Sequence, residues 1–276
     1  MVRAKFYRFR YALTVMTVAP AVTLAGPINS DVAFTPREGG SILRLQYTYS
    51  EADRRDAAPG VRSFGARAVL IHGITKDLAL IFAAPFVHRE IDVLGPGGSS
   101  LDFRQDGLAD VTLLAKYRFW QRDVGPLHTL RWAVLGGINI RSGDSDVTSD
   151  SYDPILGAVF SWRRDRSSFD ADLLYQLNTA GGRSGHDALR YDLAYSYRLL
   201  PETFRTSNPY SLRVVAELNG RYLTDGSHEV FLAPGLQFAM PRWVLEASLQ
   251  LPVVQELSDH MPQDDYRLIV GLRFQW

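Results

Sequence analysis

The last eleven residues of the chain alternate between apolar and polar side chains with a period of two. The apolar members are Tyr266, Leu268, Val270, Leu272, Phe274 and Trp276, and the positions between them include Arg267 and Arg273. This period is the pattern of a β-strand, whose successive side chains point to opposite faces of a sheet. Two arginines directed into a dry core would be costly, whereas the watered interior of a membrane barrel accepts them. The segment is therefore typical of a transmembrane β-barrel strand.

The same alternation recurs at residues 111–119, 169–177, 189–199 and 212–222. Lipid offers no partners to backbone amides and carbonyls, so a chain without long apolar helices can cross it only as a closed sheet. We predict an all-β fold, a transmembrane antiparallel up-and-down β-barrel of about 12 strands. Turn signals place the strands at 41–52, 61–73, 78–92, 107–121, 127–141, 152–164, 167–179, 187–200, 210–224, 228–240, 242–255 and 265–276.

An even number of strands places both chain ends on the periplasmic side, where connections should be short, while outer loops should be long. Short inner connections are expected at residues 75–77, 165–166 and 241, and two connections depart from the rule, 201–209 and 225–227. The predicted outer loops are residues 93–106, 142–151, 180–186 and 256–264.

Residues 1–25 have the order of a secretory signal peptide, with a basic head, an apolar run at 11–24 and a small-residue exit. The run contains Pro20 and is shorter than the ~20 apolar residues that a spanning helix needs. We expect cleavage after Ala25, with Ala21 as the alternative. The predicted location is the outer membrane of a Gram-negative-type envelope.

Residues 26–40 lack clear alternation and precede the first strand of a barrel domain that we place at 41–276. They are either a periplasmic tail or a plug folded into the lumen, and the sequence favours the tail. Removal of the signal peptide leaves a mildly acidic chain, because all the charged side chains of that peptide are basic. This balance argues against a nucleic-acid partner. The sequence contains no cysteine, so no disulfide can form.

Several short motifs resemble a known family. They are residues 29–39 leading into 43–47, then 107–113, 142–146, 175–178 and 244–255. Together they resemble the outer-membrane transporter family named for the "MetA-pathway of phenol degradation", over essentially the whole mature chain. The resemblance implies a small barrel suspected of solute transport, a role based largely on genomic association with aromatic catabolism. The alternating C-terminal residues that end in Trp276 are similar to the signal read by the barrel assembly machinery.

Extending the strand faces predicts an interior with more basic than acidic side chains. The luminal candidates for selectivity are Arg44, Lys116, Arg118, Arg131, Arg190, Arg213, Glu217, Arg221, Glu246, Arg267 and Arg273, together with Arg141, Arg198, Asp170, Asp172 and Asp192. An open lumen lined in this way would favour anions. Alternatively the charges pair and fill the interior, because twelve strands lie between the filled barrels of ~8 strands and the open ones of ~16.

These features predict a channel or facilitator for passive passage of a small solute, with aromatic and anionic compounds as candidates. The alternative is a closed structural or interaction barrel that presents its outer loops to lipopolysaccharide or other partners. An outer-membrane lipase using Ser184 and His186 is a third possibility, although no Gly-x-Ser-x-Gly motif is present. We predict no catalytic residue, cofactor or metal, because neither the histidines nor the acidic loop 141–154 has a metal-binding spacing.

Overall fold

The computed structural model describes residues 26–54, 58–94, 99–125, 127–179, 186–203, 210–258 and 261–276, so the predicted signal peptide lies outside the described residues. Thirteen strands follow one another along this part of the chain. They are β1 (Ser41–Ala52), β2 (Gly60–Gly73), β3 (Leu78–Leu94), β4 (Ser100–Leu108), β5 (Val111–Gly125), β6 (His128–Ile140), β7 (Asp153–Arg164), β8 (Ser167–Gln176), β9 (Ala188–Leu200), β10 (Ser211–Leu223), β11 (His228–Ala239), β12 (Trp243–Glu256) and β13 (Tyr266–Gln275).

Every strand pairs antiparallel with its neighbours, and β1 pairs with both β2 and β13, which closes the sheet into a barrel. β3 pairs with β5 over its first part and with β4 over its second. β4 and β5 therefore occupy one position in the sheet, separated only by Ala109 and Asp110. The barrel has twelve strand positions around its wall, and the predicted 12-stranded fold is confirmed.

The prediction of an outer loop at residues 93–106 was wrong, as was the start of a strand at residue 107. β3 continues to Leu94 and β4 returns from Ser100, so most of this stretch is a β-hairpin. The hairpin extends beyond the lipid. The outward-facing positions of β3 change from Leu80 and Phe82 near its start to His88 and Glu90 in the part that forms the hairpin. Because both faces meet water there, the lipid-type alternation is lost.

The outer face of the barrel is apolar. Its exposed side chains include Leu193, Leu218, Leu232 and Leu249 near mid-strand. Aromatic side chains lie at the two rims of the barrel. Tyr152 and Tyr222 lie near the outer end. The inner end, where β13 ends, carries Trp120, Trp162, Tyr210, Trp243 and Trp276. This combination of an apolar band and aromatic girdles is the surface of an outer-membrane barrel.

Within the described ranges, none of the residues forms a helix that is long and apolar enough to span a bilayer.

The outer loop after β6 is held in place by Asp110. Its carboxylate accepts hydrogen bonds from the amides of Gly143 and Ser149 and from the hydroxyl of Thr148, at 2.7–2.9 Å. Burial would raise the pKa of Asp110, but the hydrogen bonds from Ser149, Thr148 and Gly143 outweigh it and lower the pKa to about 2. This anchor therefore stays ionised at neutral pH.

The lipid-facing assignment predicts a depth-dependent effect of charge on stability. Leu218→Arg, at mid-strand, should lower the free energy of unfolding by about 2–4 kcal/mol, while Tyr222→Arg, near the outer rim, should cost no more than about 1 kcal/mol. Denaturant unfolding of the barrel in lipid vesicles measures both values. Equal costs at the two positions would contradict the assignment.

Candidate functional site

The lumen gathers many charged side chains of the described residues, and most of the predicted set points into it. Several of these side chains are nonetheless shielded from water. Lys116 and Glu217 are each 1% exposed, and Arg213 is 3% exposed. Charges buried to this extent require partners close by. A large share of those partners comes from residues 26–35, which we call the N-terminal segment.

Glu217 on β10 binds three successive backbone amides of the N-terminal segment. Its carboxylate accepts hydrogen bonds from the amides of Ile28, Asn29 (2.9 Å) and Ser30 (3.1 Å), and also from the Ser30 hydroxyl (2.9 Å). An extended segment without a neighbouring strand leaves its amides unpaired, and in a buried setting they need acceptors. Glu217 supplies them, and hydrogen bonds to an ionised acceptor are stronger than neutral ones.

The carbonyl groups of the same stretch bind donors from the barrel wall. Gln237 donates to the Gly26 carbonyl at 2.6 Å, and Arg273 donates to the Pro27 carbonyl. Arg44 and Gln46 on β1 both donate to the Ile28 carbonyl, Gln46 at 2.9 Å. The wall thus matches both the donors and the acceptors of this backbone.

Glu246 on β12 holds two of these donors in position. Its Oε1 lies 2.9 Å from Arg44 Nη2, and its Oε2 lies 2.6 Å from Arg273 Nη2. Gln237 Nε2 also donates to Glu246 Oε2, at 3.0 Å. The predicted luminal candidates Arg44, Glu246 and Arg273 therefore form one network whose arginines also donate to carbonyl groups of the N-terminal segment.

The middle of the segment is fixed by charge. Lys116 Nζ lies 2.5 Å from Asp31 Oδ1 and donates to the Val32 carbonyl at 2.8 Å. The Asp31 amide donates to Asp172 Oδ2 at 2.7 Å, and the Ala33 amide donates to Ser161 Oγ at 2.9 Å. These contacts reach β5, β7 and β8 of the barrel wall.

Apolar contacts complete the docking. Ile28 is fully buried with Val215 and Ile269, and Ala33 is fully buried in a cluster of inner-wall residues. That cluster comprises Val69, Ile81, Ala83, Ala133, Leu135, Ile155, Val159 and Leu174. The Phe34 ring lies under the guanidinium of Arg131 at 3.9 Å, a cation–π contact. From these contacts we infer that residues 26–35 are a luminal segment rather than a periplasmic tail.

A tight turn carries the chain from this segment into β1. The amide of Gly40 donates to the Arg37 carbonyl at 2.9 Å, and Gly39 has a φ of +71°. A positive φ at the third position of a β-turn favours glycine. Gly73 lies beside this turn, where a side chain would collide with the Arg37 carbonyl. The turn returns the chain to the barrel rim immediately after the lumen.

Two carboxyl groups lie side by side on the inner wall, next to the N-terminal segment. Asp172 on β8 and Asp192 on β9 are direct partners in the antiparallel register. Asn219 donates to Asp192 Oδ1 at 2.9 Å. Asp172 Oδ1 is buried and receives no hydrogen bond within the described residues.

A second group of arginines lies on the inner faces of the strands and is accessible to solvent. Arg190 and Arg221 are direct cross-strand partners near the outer ends of β9 and β10, and Arg67 projects inward from β2. All three are exposed. Among the described residues, Arg67 and Arg190 make neither a hydrogen bond nor an ion pair, while Arg221 lies 3.8 Å from Glu229. Arg67 and Arg190 therefore carry positive charge without an ion-pair partner among the described residues.

Arg67 and Arg163 are luminal residues that the sequence analysis missed. Arg163 lies 2.9 Å from Asp170 and 4.9 Å from the centre of the Phe34 ring. A signal for Arg67 exists, because Phe64, Ala66, Ala68 and Leu70 alternate on the opposite face. That signal is obscured by Val69 and Ile71, which share the inner face with Arg67 and are apolar because they adjoin the cluster around Ala33.

Other predicted residues lie at the ends of the lumen. Arg118 binds Asp77 in the turn before β3 at 2.7 Å, and Arg267 lies 3.4 Å from Glu229 near the outer end. The luminal assignment of Arg141 was wrong, because this residue follows the last residue of β6 and pairs with Asp150 inside the outer loop. Arg198 is buried near the inner end.

Of the two residues considered for a lipase, the structure describes only His186. Ser184 lies outside the described residues, and His186 lies 3.8 Å from Asp225 at the outer rim. In the described part of the chain, no three His, Cys, Asp or Glu side chains are grouped as a metal site.

Comparison with known proteins agrees with this architecture. Residues 63–253 match the family model described as "Putative MetA-pathway of phenol degradation". A COG4313 outer membrane channel from Pseudomonas putida F1 is similar in fold, with a TM-score of 0.64 and 15% identity over 90% of this chain and 100% of that one. The NanC porin gives a TM-score of 0.47 and 13% identity over 84% and 98% of the two chains. No curated protein matches the chain.

The contacts of Glu217 predict that it secures the N-terminal segment. Glu217→Ala should increase hydrogen exchange at the amides of residues 28–30 by more than about tenfold, since each hydrogen bond to a charged group contributes about 1.5–3 kcal/mol. Exchange measured by mass spectrometry on the folded barrel tests this. Gln250→Ala is the matched control, because Gln250 lies on the same inner wall but bonds to Asn219. Unchanged exchange in Glu217→Ala would contradict the role.

Proposed function

The chain belongs to the family described as "Putative MetA-pathway of phenol degradation". We propose that it is an outer-membrane channel through which a small anionic solute passes passively along the lumen. The observation that carries the proposal is a set of three exposed arginines inside a closed barrel, Arg67, Arg190 and Arg221, of which Arg67 and Arg190 make no ion pair among the described residues. A buried ion without a partner is disfavoured, so these side chains need water or a mobile anion beside them. This requirement supports a hydrated path.

The position of the arginines supports an entry site on the outer side. Arg221 is four residues nearer the outer end of β10 than Glu217, which holds the N-terminal segment. A solute entering from outside would therefore meet Arg190 and Arg221 before it meets the segment. Positive charge in a cleft with low-dielectric walls raises the local concentration of anions. The arrangement favours capture of an anion above a narrow passage.

A closed barrel with a structural role is the second candidate, and the N-terminal segment is the observation that favours it. The segment uses Arg44, Lys116, Glu217 and Arg273, four of the side chains predicted to line a pore. If no path remains around it, the barrel conducts nothing. Single-channel recording separates the two candidates.

We predict that the refolded mature chain gives discrete current steps with anion preference in a planar bilayer under a salt gradient. The double variant Arg67→Gln, Arg190→Gln should move the reversal potential toward the unselective value, because two fixed positive charges are removed from the path. Arg62→Gln is the matched control, since Arg62 faces outward on β2 and pairs with Glu51. A verified folded barrel that passes no current would favour the structural candidate instead.

A variant that begins at Pro36 should pass a larger current than the full mature chain. It lacks the segment whose backbone fills the space beside Glu217 and Lys116. Single-channel conductance and liposome swelling with small neutral solutes both measure the change. Equal conductance with and without residues 26–35 would show that the segment does not obstruct the path.

A further inference from the structure

We propose that the carboxyl groups of Asp172 and Asp192 share one proton, and that this proton holds the N-terminal segment in the lumen. Loss of the proton at higher pH displaces the segment and opens the path. The inference concerns the regulation of the channel and rests on the function proposed above.

The two carboxyl groups lack a donor between them. Asp172 is 6% exposed, and its Oδ1 receives no hydrogen bond in the described part of the chain. Asp192 is its direct cross-strand partner and points to the same face of the sheet. An ionised carboxylate only accepts hydrogen bonds, so two of them side by side repel each other. A single proton turns one of them into a donor and satisfies the unpaired oxygen.

The segment depends on the same pair through Asp31. The Asp31 amide donates to Asp172 Oδ2 at 2.7 Å, which places a third carboxylate beside the pair. Lys116 balances the negative charge of Asp31, because its ammonium group lies 2.5 Å from Asp31 Oδ1. The same ammonium group also donates to the Val32 carbonyl. With both Asp172 and Asp192 ionised, three negative charges would meet one committed lysine.

The other charged groups around the cluster do not remove this imbalance. Those facing it are Arg44 on β1, Arg67 on β2, Lys116 on β5, Arg190 on β9 and Glu217 on β10, with Asn219 on β10 as a neutral partner. Arg44 is held by Glu246 and the Ile28 carbonyl, and Glu217 by the segment's amides. Arg67 and Arg190 are exposed to water, which screens their charge.

Seating the segment and keeping the proton are therefore linked. While the segment is seated, it shields the pair from water and adds the charge of Asp31, and both effects favour the protonated form. When the segment leaves, water reaches both carboxylates and the proton is released. The seated state thus binds more protons, so raising the pH favours displacement. The ratio of seated to displaced segment changes by up to about tenfold per pH unit over the range between the two proton affinities.

The outer loop does not offer a competing explanation. Hydrogen bonds to its anchor Asp110 lower the pKa of that carboxyl to about 2, so the anchor is fully ionised across the range tested. Asp146 in the same loop bonds only to Ser145 among the described contacts. Asp146→Asn is therefore a control that removes an acid without touching the lumen.

The test uses Asp172→Asn, which reproduces the protonated pair permanently. The carboxamide introduced by this substitution can donate to Asp192 while its oxygen accepts from the Asp31 amide, so the segment should stay seated at every pH. Asp192→Asn supplies the same donor from the opposite strand and serves as a second variant. Folding of each variant is checked by its heat-dependent migration on a gel.

Single-channel current is recorded between about pH 5 and about pH 9 for the wild type and the variants. Current through the wild type and Asp146→Asn should rise with pH, while both luminal variants should stay at the low-pH value. Parallel pH profiles for the wild type, Asp172→Asn and Asp192→Asn would overturn the proposal.

A second measurement follows the segment directly. The chain has no cysteine, so Ser30→Cys places a unique thiol on the buried segment. Its labelling by a water-soluble maleimide is compared in the wild-type and Asp172→Asn backgrounds at each pH, which cancels the ionisation of the thiol itself. Faster labelling at high pH only with Asp172 present supports the proposal. Identical rates overturn it.

The two measurements separate the two proposals. Suppose that labelling of the Ser30→Cys thiol differs between the wild-type and Asp172→Asn backgrounds, but no current flows at any pH. This result would support the proton-linked segment and reject the channel function. Current that flows without any difference between the backgrounds would support the channel and reject the proton link.

Discussion

A backbone amide or carbonyl in hydrocarbon has no partner except one that the sheet itself provides, and the rest of the structure follows from this requirement. It forces β1 to pair with β13, and the closed wall then divides all side chains into those that meet lipid and those that meet the lumen. The same requirement applies to the N-terminal segment, which has no neighbouring strand. Side chains of the wall take the place of that strand, with Glu217 accepting from its amides and Gln237, Arg44 and Gln46 donating to its carbonyls.

The strands that could be predicted from the sequence are those with lipid on one side and water on the other. β9, β10 and β13 alternate cleanly because their inner faces are polar. β2 was harder to read because Val69 and Ile71 on its inner face adjoin an apolar cluster that includes Ala33. The hairpin of β3 and β4 was read as a loop, since its outer part meets water on both faces. The pattern of a strand reports its surroundings, and in these two places the surroundings are not those of a plain membrane wall.

The candidate site could be predicted only in part. Alternation assigns a side chain to a face, and it placed Glu217, Lys116 and Arg190 correctly inside the barrel. It cannot tell which residues on opposite walls lie close to one another, because that depends on the barrel's diameter and on what occupies its centre. The segment that binds Glu217 and Lys116 lies more than eighty residues away from either along the chain. Arginines that looked alike in sequence are therefore divided into those that bind the segment and those that face water.

The N-terminal segment is joined to β1 by only five residues, 36–40, whose turn is fixed at the rim by hydrogen bonds to Gly73. A binding element on so short a tether remains at an effective concentration of about millimolar or higher beside its own site, even after it has been released. Recapture is then intramolecular, and it does not depend on how many copies of the protein the membrane holds. A solute that binds the same wall residues must compete against this effective concentration of the segment. Compounds that bind weakly and are scarce would therefore leave the segment in the lumen.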